Sequence, residues 1–282
     1  MQTNPSPFDD LRTLIDRVPA LDDCAGRHAR QHLAAKGIVA GAMPDITEWL
    51  ASVAANEHPQ TRETHICLLA SSYTDGAEPE AITGFIGEAS KGTAPVNQLC
   101  KPAGVGLRIL ELAPTVPHRV DVEAPTWSAR DMMAAAAFGM EAVAAGGNVL
   151  GLSALAFGGE AHAAALLTAL EQADESDDPL ELARHYAGRE VAGLVGAILA
   201  ARMQKLAVVL DGAAALAAAA VLHALSPVAI SHCRLAATET PEMEKAAARM
   251  GLTPLLSQAS GAGPGADAAL AAGLLAAAAS LV

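Results

Sequence analysis

The spacing of apolar residues alternates along this chain between a helical period and short unbroken runs. Phe8, Leu11, Leu14 and Ile15 form one apolar stripe, and Ile46, Trp49 and Leu50 form another, so residues 1–60 are expected to be helical. His65 to Ala70 is a short apolar run that predicts a strand, followed by the polar turn Ser71-Ser72-Tyr73-Thr74-Asp75-Gly76. Ile82 to Cys100 reads mostly as helix, and Leu107 to Leu112 as the next strand. A Pro-rich loop, Pro114 to Pro125, precedes a helix from Ser128 to Ala145, and Asn148 to Leu152 is a third strand. Helix resumes near Glu160. Beyond it, the pattern predicts strands at Leu206–Leu210 and Val228–His232, separated by a helix over Ala213–Leu225. A Gly-rich loop, Gly261 to Gly265, and an alanine-rich helix from Ala266 close the chain.

The stretch from Asp178 to Gly212 is the most informative. Asp177, Asp178 and Pro179 suit a helix start, because acids favour the positive end of the helix dipole and proline lacks an N–H that the first turn leaves unpaired anyway. Leu182, Tyr186, Val191, Leu194, Ile198 and Leu199 then recur at helical spacing, interrupted by Gly188 and Gly193. The run Leu206 to Leu210, ended by Asp211-Gly212, predicts a strand buried on both faces. Helix followed by buried strand is the repeating unit of a parallel sheet. The whole pattern therefore predicts an α/β fold with five or six strands, a mainly parallel, Rossmann-like sheet flanked by helices. Residues 61–265 would form the large α/β domain. Residues 1–60, joined by the C-terminal helix at 266–282, would form a smaller helical subdomain.

Composition narrows the function. Apolar residues make up 52% of the 282 positions but aromatics only 3%, so alanine, leucine and valine must fill the interior. The net charge of −13, with no Lys/Arg cluster, argues against nucleic acid or an anionic membrane surface as partner. Cys24, Cys67, Cys100 and Cys233 have neither CxxC spacing nor the density of a disulfide scaffold, and MQTNPSPFDD lacks a signal-peptide apolar core, so a cytoplasmic protein is expected. The alanine-rich tail is short and interrupted by Asp267, which predicts a packed helix rather than a membrane span. The nine histidines show no HxH or HExxH spacing, so neither a metal site nor a cofactor is expected.

The central stretch also carries a resemblance. Asp178-Pro179-Leu180-Glu181, Ala187-Gly188-Arg189-Glu190-Val191-Ala192 with Gly193 and Gly196, and Val208-Val209-Leu210-Asp211-Gly212-Ala213 resemble three motifs of the nicotinate mononucleotide:dimethylbenzimidazole phosphoribosyltransferase family. Those motifs read D-P-L-E-x-L, G-G-F-E-I-A-x-L-x-G and an apolar strand ending in D-G-F. Gly92-Thr93-Ala94-Pro95-Val96-Asn97 is similar to the family's G-G-A-A-I-N, Ser231-His232 to its S-H, and Gly251 to Leu256 to its L-G-L-x-P-L-L. The likeness runs in order over roughly residues 30–282. It implies a homodimer that transfers phosphoribose from nicotinate mononucleotide to a benzimidazole, a step in cobalamin nucleotide-loop assembly.

The functional loops depart from the family's. Its phosphate loop G-E-M-G-I-G-N-T-T becomes Ser153 to Ala161, where Gly158 keeps register and Glu160 adds negative charge. The following V-G-R-G-T-G segment and its later lysine are deleted between Leu170 and Asp177. The family's catalytic carboxylate lies in G-E-G-[ST]-G, and laying Gly263-Pro264-Gly265 over the start of that motif puts Pro264 at the carboxylate. The D-H of the first strand's loop is replaced by Ser72-Tyr73.

No catalytic residue is therefore fixed by sequence, and Glu160, Glu190 and Asp211 are the candidates. Glu190 reads either as a ligand-facing group or as a solvated helix carboxylate, and Asp211-Gly212 either as a site at a strand's carboxyl end or as an ordinary turn pair. Ser231 and His232 alternate on a strand and make no dyad, leaving His232 as a loop or cleft residue. Tyr73 is expected to hydrogen-bond a planar heterocycle. The expected binding set is Ser72, Tyr73, Gly158, Gly159, Gly188, Glu190, Asp211, Gly212, Ser231, Gly263 and Gly265. The expected ligand is a nucleotide or a benzimidazole-type molecule. The alternative is a non-catalytic homologue that binds such a nucleotide, benzimidazole or α-ribazole, or that serves as partner subunit, in a hetero-oligomer, of an active paralogue.

Overall fold

The computed structural model describes residues 6–282; the first five residues of the predicted N-terminal helical segment lie outside the described residues. Five strands form one wholly parallel sheet: β1 (Thr64–Ala70), β2 (Gly106–Glu111), β3 (Val149–Leu155), β4 (Ala207–Asp211) and β5 (Cys233–Leu235), in the order β2-β1-β3-β4-β5. Alternation along the strands divides the core into two layers. Cys67 and Leu69, Leu150 and Leu152, and Val208 and Leu210 face one layer, whereas Ile66, Leu68, Val149 and Val209 face the other.

The first layer is covered by helices α6 (Ala129–Gly139), α7 (Gly159–Gln172), α8 (Pro179–Tyr186), α9 (Arg189–Met203) and α10 (Ala213–Leu225). Small residues let these helices touch. A Cβ on Gly139 would strike the main chain of Gly193, and one on Gly196 would strike the carbonyl of Ala136, so α6 and α9 pack backbone to backbone. The second layer is covered by α3 (Ala42–Ala54), α4 (Pro79–Ser90), α5 (Pro95–Ala103) and α12 (Ala266–Ala279). Gly151 of β3 allows α12 to lie directly on the sheet, its absent side chain leaving space for Ala268.

The N-terminal helices divide between the layers. Phe8, Leu11 and Ile15, on or beside α1 (Asp9–Asp16), join the first core layer, and Arg12 pairs with Asp178 at 2.6 Å. Helix α2 (Asp23–Ala35) packs on α3, where Gly26 closes on Ser52 and the carbonyl of Glu48. Buried Arg202 of α9 donates to the carbonyls of Pro19 and Ala20, tying the α1–α2 connection to the first layer.

Two elements differ from expectation. The segment from Asp178 to Lys205 is two helices, because the extended backbone of Ala187 and Gly188 ends α8 and starts α9 anew. The strand expected at Val228–His232 is instead a short 3₁₀ turn, Pro227–Ile230, and the fifth strand lies three residues later at Cys233–Leu235. Proline at the head of that run fixes φ and favours a turn, and Ser231 and His232 consequently precede the strand instead of ending it. One further helix, α11 (Pro241–Arg249), follows β5. No helix among the described residues is long and apolar enough to cross a membrane, and the alanine-rich tail forms the packed helix α12. All four cysteines are free.

Candidate active site

The carboxyl ends of β3, β4 and β5 open into a cleft of about 700 Å³, closed on its other side by the loop Ser257–Pro264. That is where a parallel sheet presents its ligand site, since the strand ends diverge there and the helix N-termini point inward. Gly159, Glu160, Glu190, Asp211, Gly212, Gly263 and Pro264 line it together. Five acidic residues line it, Glu160, Glu190, Asp211, Glu239 and Asp267, and among the described residues no lysine or arginine does.

Asp211 ends β4 and is 4% exposed. Its Oδ2 accepts the N–H of Ala268, 2.9 Å away, in the first turn of α12. Burial pushes its pKa up to about 7, and the charges of Asp267 and Glu239 push the same way, while the Ala268 N–H opposes them. Asp267 is itself held by the N–H of Ser260 at 2.8 Å. Carboxylate oxygens of Asp211, Glu239 and Asp267 lie within 4.8 Å of one another, a spacing that could converge on a divalent cation. Glu239 is likewise raised, first by burial and then by Asp267 and Glu160.

The loop between β3 and α7 carries the opposite polarity. Gly158 takes φ +91, a conformation that favours glycine, and caps α7. The Gly158 N–H, which an anion would seek at this helix end, donates to Glu160 Oε2 at 3.0 Å. An internal carboxylate thus occupies the donor that a phosphate would use.

Glu190 is fully buried in the first turn of α9, which excludes the solvated carboxylate of the two alternatives the sequence left open. Ser71 Oγ donates to one of its oxygens and the Tyr73 hydroxyl to the other. The Tyr73 oxygen also accepts the N–H of Gly188 at 2.9 Å, and a side chain at Gly188 would collide with it. Burial raises Glu190 while the Ser71 and Tyr73 hydrogen bonds lower it, with the net shift upward. The Tyr73 ring stacks on His162, centroids 4.5 Å apart, and His162 contacts Asp75 at 3.0 Å.

Several expected binding residues fall elsewhere. Tyr73 is 2% exposed and its hydroxyl is committed to Glu190 and Gly188, so it supports the cleft from behind instead of reaching a heterocycle. Ser72 is buried and its Oγ has no hydrogen-bond partner, its neighbour Ser71 making the contact to Glu190. Gly265 caps α12 at φ +79, pressed against Leu68 and Ile66 below the cleft. Ser231 lines a different cavity, as its position before β5 requires. His232 lies in the turn before β5, as a loop residue should, but is fully buried against Ile198 O, 3.0 Å away, and burial pushes its pKa down to about 3. Ser71, Glu239 and Asp267 were missed by sequence reasoning; no motif marks them, though Ser71 and Glu239 follow strands and Asp267 lies in the first turn of α12, all at the sheet's carboxyl end.

Comparison with known proteins agrees with this architecture. A phosphoribosyltransferase family model matches residues 18–177 and 132–282. The nicotinate-nucleotide-dimethylbenzimidazole phosphoribosyltransferase of Rhizobium meliloti (strain 1021) is 33% identical over 323 aligned residues, covering 99% of this chain and 95% of its own. That of Brucella anthropi is 34% identical over 321 residues with the same coverage. A crystal structure of the Thermus thermophilus protein with that activity in its name superposes with a TM-score of 0.75 at 20% identity, covering 99% of this chain and 96% of that one, a likeness of fold.

Proposed function

The chain belongs to the nicotinate-nucleotide-dimethylbenzimidazole phosphoribosyltransferase family, and on that premise we propose that it transfers phosphoribose from nicotinate mononucleotide to a benzimidazole-type base, with Asp211 as the proton acceptor. The observation that carries the assignment to Asp211 is a buried carboxylate at the end of β4, with its pKa raised to about 7, lining the cleft. A base nitrogen becomes nucleophilic as its N–H proton leaves. A carboxylate with a pKa near 7 accepts that proton well and is partly ionised at neutral pH. The nitrogen lone pair then bonds to the ribose anomeric carbon, and the bond from that carbon to the nicotinate nitrogen breaks, its electron pair leaving with nicotinate.

Asp211 would replace the family's usual carboxylate. Gly261, Gly263 and Gly265 all take positive φ, so the three glycines of G-E-G-[ST]-G register best on them. That register moves the carboxylate's position from Pro264 to Ala262, which also lines the cleft, and neither residue can accept a proton. Homodimerisation, a cytoplasmic site and the absence of a required cofactor belong to the same proposal.

A second reading is favoured by Glu160. Its carboxylate on the Gly158 N–H, in a cleft with no cation, opposes a nucleotide phosphate, as expected of a homologue that binds only the base or works beside an active paralogue. Calorimetric titration with nicotinate mononucleotide and with dimethylbenzimidazole separates the two: the transferase binds both, the base-binding homologue only the second.

A further inference from the structure

A second cavity, of about 500 Å³, lies at the edge strand β5 between α3 and the segment Met250–Leu255, and shares no residue with the cleft. Arg234 sits between Cys233 and Leu235, which face the first core layer, so strand alternation turns Arg234 toward α3. There its guanidinium lies over the Trp49 ring, 5.5 Å from the centroid. Among the described residues the guanidinium makes no hydrogen bond and no ion pair. The two carboxylates that line the same cavity, Asp45 and Glu48, are both bonded to Arg30.

Two more polar groups on lining residues are unmet. Trp49 is 6% exposed, and its Nε1–H has no acceptor. The buried Ser231 hydroxyl has no partner either. A buried donor left unpaired costs on the order of 1–3 kcal/mol, so these two groups, beside the half-buried and unpaired Arg234 guanidinium, call for an occupant of the cavity. Arginine and tryptophan only donate, and serine can do so, so the complement is rich in acceptors and negatively charged. Apolar lining from Leu21, Ile46 and Leu252 would cover a carbon skeleton, and the volume falls in the range of small-molecule sites.

We propose that this cavity binds a small organic anion whose carboxylate or phosphate accepts hydrogen bonds from Arg234 and Ser231. Such charge-assisted bonds are the stronger kind, so the head group dominates recognition. The test uses the chain's two tryptophans. In a Trp127→Phe background the fluorescence reports Trp49 alone, and sodium benzoate and inorganic phosphate serve as probes. We expect a saturable change with at least one probe at about millimolar concentration. Response to benzoate alone assigns a carboxylate, and response to phosphate alone a phosphate ester. Arg234→Met, which keeps the packing over Trp49, should weaken binding at least about tenfold. Ser231→Ala, a gentler change, should weaken it roughly threefold. No saturable change with either probe, or equal binding by both variants, would overturn the proposal.

Discussion

The Tyr73 hydroxyl donates to Glu190, 117 positions along the chain, and at the same time accepts the N–H of Gly188. Tyr73 follows β1 and Glu190 lies in the first turn of α9, so this buried contact joins the end of a central strand to the start of the helix entered through Ala187-Gly188-Arg189-Glu190. One side chain thereby satisfies a carboxylate and a helix-start N–H. Glu190 lines the cleft and Tyr73 holds it from behind, so the pair fixes the position of its wall.

Tyr73→Phe removes that link without changing the ring. Glu190 loses a donor and Gly188 an acceptor, both buried, so we expect a loss of about 2–3 kcal/mol in urea unfolding. Glu190→Gln in the same background should recover part of the loss, because a neutral amide needs less solvation than a carboxylate. A double-mutant cycle measures this coupling, and additive effects would contradict it.

Asp211 should make stability depend on pH. Its pKa is about 7 in the fold against an ordinary 3.8, so the fold binds its proton more tightly than the unfolded chain does. Its favourable contribution is complete below about pH 4 and is lost as pH rises to about 7. Asp211→Asn, which mimics the protonated form, should therefore raise stability at pH 8 by up to about 4 kcal/mol and change it little at pH 4. Thermal unfolding at the two pH values checks this, and an equal shift at both would count against it.

Glu160→Ala should free the Gly158 N–H for an anion and remove one negative charge from the cleft. Affinity for nicotinate mononucleotide is expected to rise roughly tenfold, with affinity for dimethylbenzimidazole nearly unchanged. Titration calorimetry of the variant and the parent reads both numbers.

Close helix packing gives a fourth expectation. Gly196→Ala would drive a methyl group into the carbonyl of Ala136 and force α6 away from α9. Overpacking of this kind costs about 1–3 kcal/mol or more, visible as a lower denaturant midpoint. Gly87→Ala, at a position with open space, should be neutral or stabilising in the same assay.

These cases also mark what sequence can reveal. Four strands were legible because Ile66 to Leu69 or Val208 to Leu210 are unbroken apolar runs between turn signals, which only a strand buried on both faces requires. The fifth was misplaced because Val228-Ala229-Ile230 has a strand's composition, whereas Cys233-Arg234-Leu235 hides its period behind a charge. Asp211 was legible as a cleft residue since the end of a buried strand is where a parallel sheet opens its cleft. Its partners Glu239 and Asp267 were not, because they come from loop and helix positions far along the chain and meet only through the sheet's closure. For Tyr73 the residue was found and its role was not, since its burial depends on α9 arriving over it.

The measurement closest to the central claim is product formation. Purified protein is incubated with nicotinate mononucleotide and 5,6-dimethylbenzimidazole, and α-ribazole phosphate is sought by mass spectrometry beside an active relative as control. The account predicts product from the parent chain, a rate that rises with pH up to about 7, and a fall of at least about a hundredfold in Asp211→Asn. No product at high enzyme concentration, with the control active, would contradict it.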